Sequence, residues 1–365
     1  MQSVLISGAG IAGAALAHLL CRRGFAPTVV ERAPGLRAGG QAIDVRGVAL
    51  DVLDRIGVLG QAREVRTRVR GMSVLDADGT EIDRSTEYAL SSGRLDGDDI
   101  EVLREDLVRL LYERTREDVA YVFGDSVGAL TEDADGVVVE FAHAPARRFD
   151  LVVGADGLHS AVRRLAFGPE EHFTRHLGSY LSVFGAANFL GLEDWQVWMR
   201  DGDAGFGIMP VRDNRELRVA FGFESAPLER GTDLKALVVE RLAGLRWEGD
   251  RLAKAALEAP DFYCDAMAQI HLDRWSRGRA VLIGDAGHCP SPLSGQGTSL
   301  ALVGAYVLAD ALAAAAGDHA AAFAAYESRM RPFVTVNQAL ATENPGGPAS
   351  EESVARAKNA IALDG

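Results

Sequence analysis

Three glycine-rich stretches hold most of the residues in this chain whose types and spacing could do chemistry. The first is Gly8-Ala9-Gly10-Ile11-Ala12-Gly13. As a bare pattern it is weak, because a glycine-rich sequence produces it by chance. Its setting makes it informative. It follows an apolar strand over 2–7, opens a helix over 14–23, and precedes a second strand over 27–31 that ends on Glu31. This is the layout of a dinucleotide-binding turn, in which an acid about 20 residues on meets ribose hydroxyls. Gly8 would permit the tight turn, Gly10 the approach of a pyrophosphate, and Gly13 close helix–strand packing. The helix start offers free N–H groups and the positive end of its dipole. Glu31 disfavours a 2′-phosphate there, so the residues point to FAD or NAD and not to NADP.

The second stretch runs from Asp150 through an apolar strand to Asp156-Gly157, with Ser160 and Arg163 following. Alone it could be any strand ending in a surface turn. The third, Gly284-Asp285 to Gly297-Thr298, is the most specific. Asp285 ends a strand, where it could accept hydrogen bonds from polyol hydroxyls. Gly295 to Gly297 bring bare backbone N–H groups to a helix start, an arrangement that stabilises negative charge such as a reduced flavin carries. Pro290 and Pro292 stiffen the loop between them.

Other residues invite sharper readings that do not hold. His288 and Cys289 are adjacent, and neighbours in sequence rarely face each other, so a Cys–His nucleophile is not expected. His172 and His176 have helical spacing, but without an H-E-x-x-H pattern they are expected on a solvated helix face, and no metal site is expected. Arg63, Arg66, Arg68 and Arg70 form a basic run among acids, expected to be solvated.

The elements that must position the three stretches divide the chain. Helices are expected over 47–66, 101–117 and 232–244, and a strand over 279–283 leads to a long helix from Gly297. Asp78-Gly79 and Asp135-Gly136 mark hairpins. Between 178 and 225 the pattern is strand-rich and interleaved with aromatics, expected half as sheet core and half as ligand wall. Alternation there suggests Met209 and Phe221 as walls. A Pro/Gly linker over 344–348 precedes a short helix over 351–362. The net charge of −14 makes nucleic acid an unlikely partner. Three cysteines, an odd count without a C-x-x-C pair, do not suggest a disulfide framework and fit a reducing, cytoplasmic setting. The alanine-rich 299–316 segment is nearest to a membrane span, but Asp310 and its glycines mark it as a buried helix, so no membrane partner is expected.

Together the three stretches, in this order over nearly the whole chain, resemble the para-hydroxybenzoate hydroxylase-like (group A) FAD-dependent monooxygenases. GQGTSLALVGAYVLADAL after PSPLS, and ERAPGLRAGGQAIDVRG after the second strand, are most similar to the tetracycline-inactivating and polyketide-modifying members. The resemblance implies an α/β fold: a Rossmann-like FAD-binding domain (1–72, 100–176 and 276–342) with a strand-rich α+β substrate-binding domain (73–99 and 177–275), then a linker and C-terminal helix (343–365). It implies non-covalent FAD, with NADPH or NADH as transient electron donor. It also implies oxygen transfer through a flavin C4a-hydroperoxide to a hydrophobic aromatic or polycyclic polyketide-like molecule, in a monomer or homodimer. Glu31 and Arg32 would hold the adenosine end, with Gly8, Gly10, Ala12 and Gly13 at the pyrophosphate. Arg104 would meet the diphosphate and ribityl region, and Asp285 the ribityl or diphosphate portion. Asp156-Gly157 matches the family's acid–glycine motif. Pro292, Gly295, Gln296, Gly297 and Thr298 would line the ring pocket, with Pro292 and Leu293 on the substrate side. Asp44 and Arg46 would approach the flavin, Arg46 being the one candidate for a catalytic side chain, and Arg37 is a weaker candidate for the nicotinamide cofactor.

Two rival readings remain. A flavin-dependent halogenase shares the fold, but that chemistry uses a lysine in the N-terminal region, and the only lysines here are Lys235, Lys254 and Lys358. A flavoprotein that binds and sequesters a polyketide without turnover would carry the same motifs.

Overall fold

The computed structural model of the chain describes residues 1–344 and 347–364. Pro345 and Gly346, inside the expected linker, and Gly365 lie outside the described residues.

A six-stranded sheet carries the glycine motifs. Its order is Ser276–Arg277, Ala280–Leu282, Leu151–Gly154, Ser3–Ser7, Ala26–Glu31 and Ala120–Phe123, parallel except at its first pair. Val4, Leu5 and Ile6 are fully buried, as are Leu151, Val152 and Val153. That continuous burial is expected of parallel strands covered on both faces. On one face the helix Ile11–Cys21 packs against the long helix Gly297–Ala314. Gly297–Ala314 is long and apolar enough to cross a membrane by length and composition. Here its side chains from Thr298 to Ala309 are buried inside the protein. Asp310, near its end, pairs with Arg329 at 3.0 Å.

A second sheet of seven strands has the order Tyr263–Ile270, Thr174–Ala187, Glu216–Glu224, Ala204–Val211, Trp195–Asp201, Gly71–Leu75 and Glu81–Ser85. It is antiparallel except where Trp195–Asp201 runs alongside Gly71–Leu75. Two strands therefore come from the first hundred residues and five from the middle of the chain. The strands Gly71–Leu75 and Thr174–Ala187 each begin before the domain borders expected at 72/73 and 176/177. Helices Leu234–Ala243 and Gly249–Glu258 cover one face of this sheet through Val238, Leu242 and Leu252.

Several expected elements are corrected. The helix expected from 101 starts only at Arg104, because Ile100–Leu103 is a buried strand paired with Ala42–Val45. Ile100 and Val102 are β-branched, and a waiting strand partner overrides the helical spacing of the leucines. The helix over 47–66 is two, Val48–Ile56 and Leu59–Glu64, parted at Gly57, whose φ of 83° ends the first in a left-handed cap. His172 closes a short 3-10 turn while His176 lies in a strand, so their helical spacing never becomes a shared face.

Candidate active site

A cavity of about 2200 Å³ opens between the two sheets and is lined by residues of all three glycine-rich stretches. Small-molecule sites are typically about 300–1,000 Å³. This cavity has room for a dinucleotide and a second ligand.

At one end stand Gly8, Gly10 and Ala12 with Glu31 and Arg32. The three motif glycines are there for different reasons. Gly8 has φ +106°, and an added Cβ would lie 2.5 Å from the Ala155 carbonyl oxygen, so it backs the turn onto the second motif. Gly13 does not line the cavity; its Cβ would lie 1.9 Å from the Gly8 oxygen, so it serves helix–strand packing. Gly10 has an ordinary φ of −76°, and its Cβ would meet only the Arg104 guanidinium, at 3.9 Å. Its bare face is turned to the cavity. The helix that starts here has no side-chain cap. Glu31 is fixed by accepting from the Ala9 and Ala33 amides at 3.0 and 2.9 Å, and Arg37 stands 3.8 Å away.

Asp156 lines the cavity, yet its carboxylate is engaged by the protein. It accepts from Ser7 Oγ at 3.1 Å, from Ser160 Oγ, and from the Ala161 and Val162 amides at 2.9 and 3.2 Å. It shapes the turn and caps the helix Ala161–Ala166. Arg163, fully buried, donates to Ala286 O at 2.9 Å and so ties the second motif to the third.

In the third motif Asp285 lines the cavity and is open to it, and its depth within the protein raises its pKa against the pull of Arg104. Arg104 also lies 3.5 Å from where a Gly40 Cβ would stand. Gly10, Gly40, Arg104 and Asp285 thus border one region. Beyond it are Pro292, Leu293, Gly295, Gly297 and Thr298. Gly295 has φ +63°, and its Cβ position is 3.5 Å from the Arg46 guanidinium. Gln296 is fully buried and does not itself line the cavity. The long helix from Gly297 also lacks a side-chain cap. Arg46 pairs with Asp44 at 2.8 Å, and burial pushes Asp44 up to about 7 even with Arg46 opposing. Arg46 Nε and both amide atoms of Gln296 have no partner among the described residues.

These features fit FAD. Two uncapped helix starts, a glycine face with free space and an adjacent arginine suit a diphosphate. Buried polar atoms without partners are costly, and Arg46, which holds one, lines a cavity that a polar ring would fill. Cys289 is no nucleophile: burial and Asp285 hold its thiol well above the usual range. His288 is pushed down to about 3 by burial and is bonded to Tyr326 Oη at 3.1 Å.

The second sheet forms the opposite wall. Gly205, Gly207, Ala220 and Gly222 line it, and the Trp198 ring lies over Gly207, 2.5 Å from where a Cβ would be. The expected walls Met209 and Phe221 are corrected here. Phe221 alternates with Ala220 and Gly222 and so points to the far face, fully buried among Val238, Leu242 and Leu252. Met209 is packed with Leu103 and Val211 and does not line the cavity. The sequence reading missed Trp198, Ser91 and the wall given by the C-terminal helix, including Val354 and Lys358. Trp198 was in the aromatic run; Ser91 and the helix carry no local signal.

A model of the FAD binding domain family matches residues 1–340. An uncharacterised protein of Mycobacterium tuberculosis is 49% identical over 369 residues, covering 100% of this chain and 99% of the relative. A flavin-dependent monooxygenase from an unknown prokaryotic organism is 38% identical, over 93% of this chain and 88% of its own length. Among solved structures, tetracycline destructase Tet(55) matches with a TM-score of 0.88 at 35% identity, covering 100% of this chain and 99% of that one.

Proposed function

The chain belongs to the FAD binding domain family and is an FAD-dependent monooxygenase, and on that premise we propose which of its residues hold the cofactor and what they present to the substrate. Gly10, the helix start behind it and Arg104 would take the diphosphate, Glu31 and Arg32 the adenosine ribose, and Asp285 the ribityl hydroxyls. Pro292 to Thr298 would border the ring. When bound, FAD supplies the oxygen-activating chemistry, with electrons from NADPH or NADH.

The protein's own part is orientation, charge and dryness. The uncapped start of Gly297–Ala314 would favour negative charge at the ring by about 0.3–1 kcal/mol. Arg46, held by Asp44, brings a fixed positive charge to the same region. Gly205, Gly207 and Gly222, with the Trp198 ring lying on Gly207, keep this wall low and flat, which suits a flat polycycle. Excluding water from that slot protects oxygen transfer from side reactions. The observation that carries this reading is one cavity with a diphosphate cradle at one end and a bare, aromatic-edged sheet at the other.

The substrate is a small molecule, which we take to be a hydrophobic aromatic or polycyclic polyketide-like compound, hydroxylated with O2. We also propose residues 1–72, 100–176 and 276–342 as the FAD-binding part and 73–99 with 177–275 as the substrate-binding part, in a monomer or homodimer. A cytoplasmic setting is supported by three free cysteines. The test is a screen of tetracyclines and polycyclic phenols for accelerated NAD(P)H oxidation by the FAD-loaded protein. Acceleration by one of them is expected; a protein that binds them with no acceleration would be a sequestering flavoprotein.

A further inference from the structure

Alternation along Trp195–Asp201 puts Val197 and Met199 into the core of the second sheet and gives Gln196, Trp198 and Arg200 the other face. Trp198 is the direct partner of Gly207 on the neighbouring strand. Three consecutive atoms of its six-membered ring, Cε3, Cζ3 and Cη2, would lie 2.8, 2.5 and 2.6 Å from a Cβ on Gly207. Near-equal distances to three neighbouring ring atoms mean that the ring lies face-down on the bare backbone, because an edge-on ring would bring only one or two atoms so close. Its other face is left to the cavity, which Trp198 lines.

Hydrogen bonds fix the ring in that plane. The indole Nε1 donates to Gln196 Oε1 at 2.9 Å, and Gln196 is fully buried. Gln196 Nε2 donates to the Oγ of Ser91 at 2.6 Å, in the turn between Tyr88–Ala89 and Gly93–Arg94. The Ser91 carbonyl accepts from Arg46 Nη2 at 3.3 Å, and Asp44 holds Arg46 at 2.8 Å. The indole is thereby tied to the same guanidinium that stands beside Gly295. The wall around it, Gly205, Ala220 and Gly222, carries no polar side chain. Such a wall cannot read the positions of hydroxyls on a ligand; it reads flatness.

We propose that Trp198 is the specificity-determining residue of this cavity, a preset stacking plate for a planar fused aromatic ring, with Gln196 and Ser91 as its positioning residues. The proposal rests on the reading of the cavity as a site for a polycycle and narrows it to one class. A flat ring stacks on an indole that is already ordered, so contact is gained without freezing a side chain. A ring system with saturated, puckered carbons cannot lie along the indole and forfeits that contact. The plate therefore chooses fully aromatic polycycles over partly saturated ones of the same size.

The test is a pair of equilibrium titrations of the FAD-loaded enzyme, with alizarin, a planar hydroxyanthraquinone, and with its tetrahydro derivative, in which the ring without hydroxyls is saturated and puckered. The wild type should bind alizarin about tenfold more tightly than the puckered dye. Trp198→Leu should bring the two affinities within about twofold of each other and leave FAD affinity within about twofold of wild type. Gln196→Met removes the acceptor that pins the indole and should cut the preference to about threefold. A merely structural role for either residue would weaken both dyes alike and leave their ratio unmoved. Should Trp198→Leu fail to fold with FAD, Gly207→Ala, whose methyl would lift the ring off the wall, decides in its place. Equal binding of the two dyes by the wild type, or a preference that survives in the variants, overturns the plate and leaves the cavity reading intact. Failure of the wild type to bind either dye overturns both.

Discussion

Gly10→Ala separates ligand binding from folding. Gly10 has φ −76°, which alanine adopts without strain, and the only atom within 4 Å of the new methyl is Arg104 Nη2, at 3.9 Å. The FAD-stripped protein should therefore change by no more than about 1 kcal/mol, because the gain of about 0.4–1 kcal/mol from a stiffer unfolded chain is offset by alanine's poorer fit at a helix N-cap. With FAD the methyl stands where the diphosphate must approach the backbone. Losing one charge-assisted hydrogen bond there costs about 1.5–3 kcal/mol, or about ten- to a hundredfold in Kd. Gly13→Ala is the counterpart. Its methyl would sit 1.9 Å from the Gly8 carbonyl oxygen, a backbone atom, and should cost the fold about 1–3 kcal/mol or more. Denaturant melts of the stripped proteins and flavin-fluorescence titrations measure the two quantities. Wild-type FAD affinity in Gly10→Ala, or an apo-protein destabilised by more than about 1 kcal/mol, would refute the assignment of this face to the diphosphate.

Phe221→Ala should lower stability by about 3–5 kcal/mol, read by denaturant melts, because Phe221 is a core side chain. It should leave the order of preference among bound polycycles unchanged. Gly207→Ala would push a methyl into the Trp198 ring at 2.5 Å and should weaken polycycle binding by about 1–3 kcal/mol with FAD affinity unaltered, measured by paired titrations. His159 is bonded to Asp265 at 2.9 Å and Glu170 at 2.8 Å, and these carboxylates raise its pKa to about 10. A raised histidine stabilises the fold fully below its unfolded pKa of about 6.5, and that contribution is lost as pH rises through about 10. The imidazole is 59% exposed, so the effect should be only about 0.5–1 kcal/mol. The Tm gap between wild type and His159→Gln should accordingly be widest near neutral pH or below and close above about pH 10; a gap that widens with pH would contradict this linkage.

The parallel sheet and its turn were legible because strand, glycine turn, helix and acid lie within one local stretch, Ser3 to Glu31. The long helix was equally plain, its apolar run starting at a glycine. What the sequence hid was set by partners distant in the chain. Ile100–Leu103 has helix-like leucine spacing after it, and only Ala42–Val45 makes it a strand. Phe221 was given to the wrong face because alternation fixes which residues share a face, not which face meets the ligand. Glycines 205, 207 and 222 form a wall by lacking side chains, a role no residue-type signal announces. Glu101 shows the same limit: Thr67, which donates to it, and Asp44, which stands opposite it, come from separate segments of the chain.

The central claim is oxygen transfer from O2 to a bound ring. The direct measurement is the product mass after turnover of the FAD-loaded enzyme with NAD(P)H and an accelerating polycycle under isotopically heavy oxygen gas. The account predicts a product heavier by a single heavy oxygen atom. Label arriving from water instead, or a product formed equally well without oxygen, would contradict it.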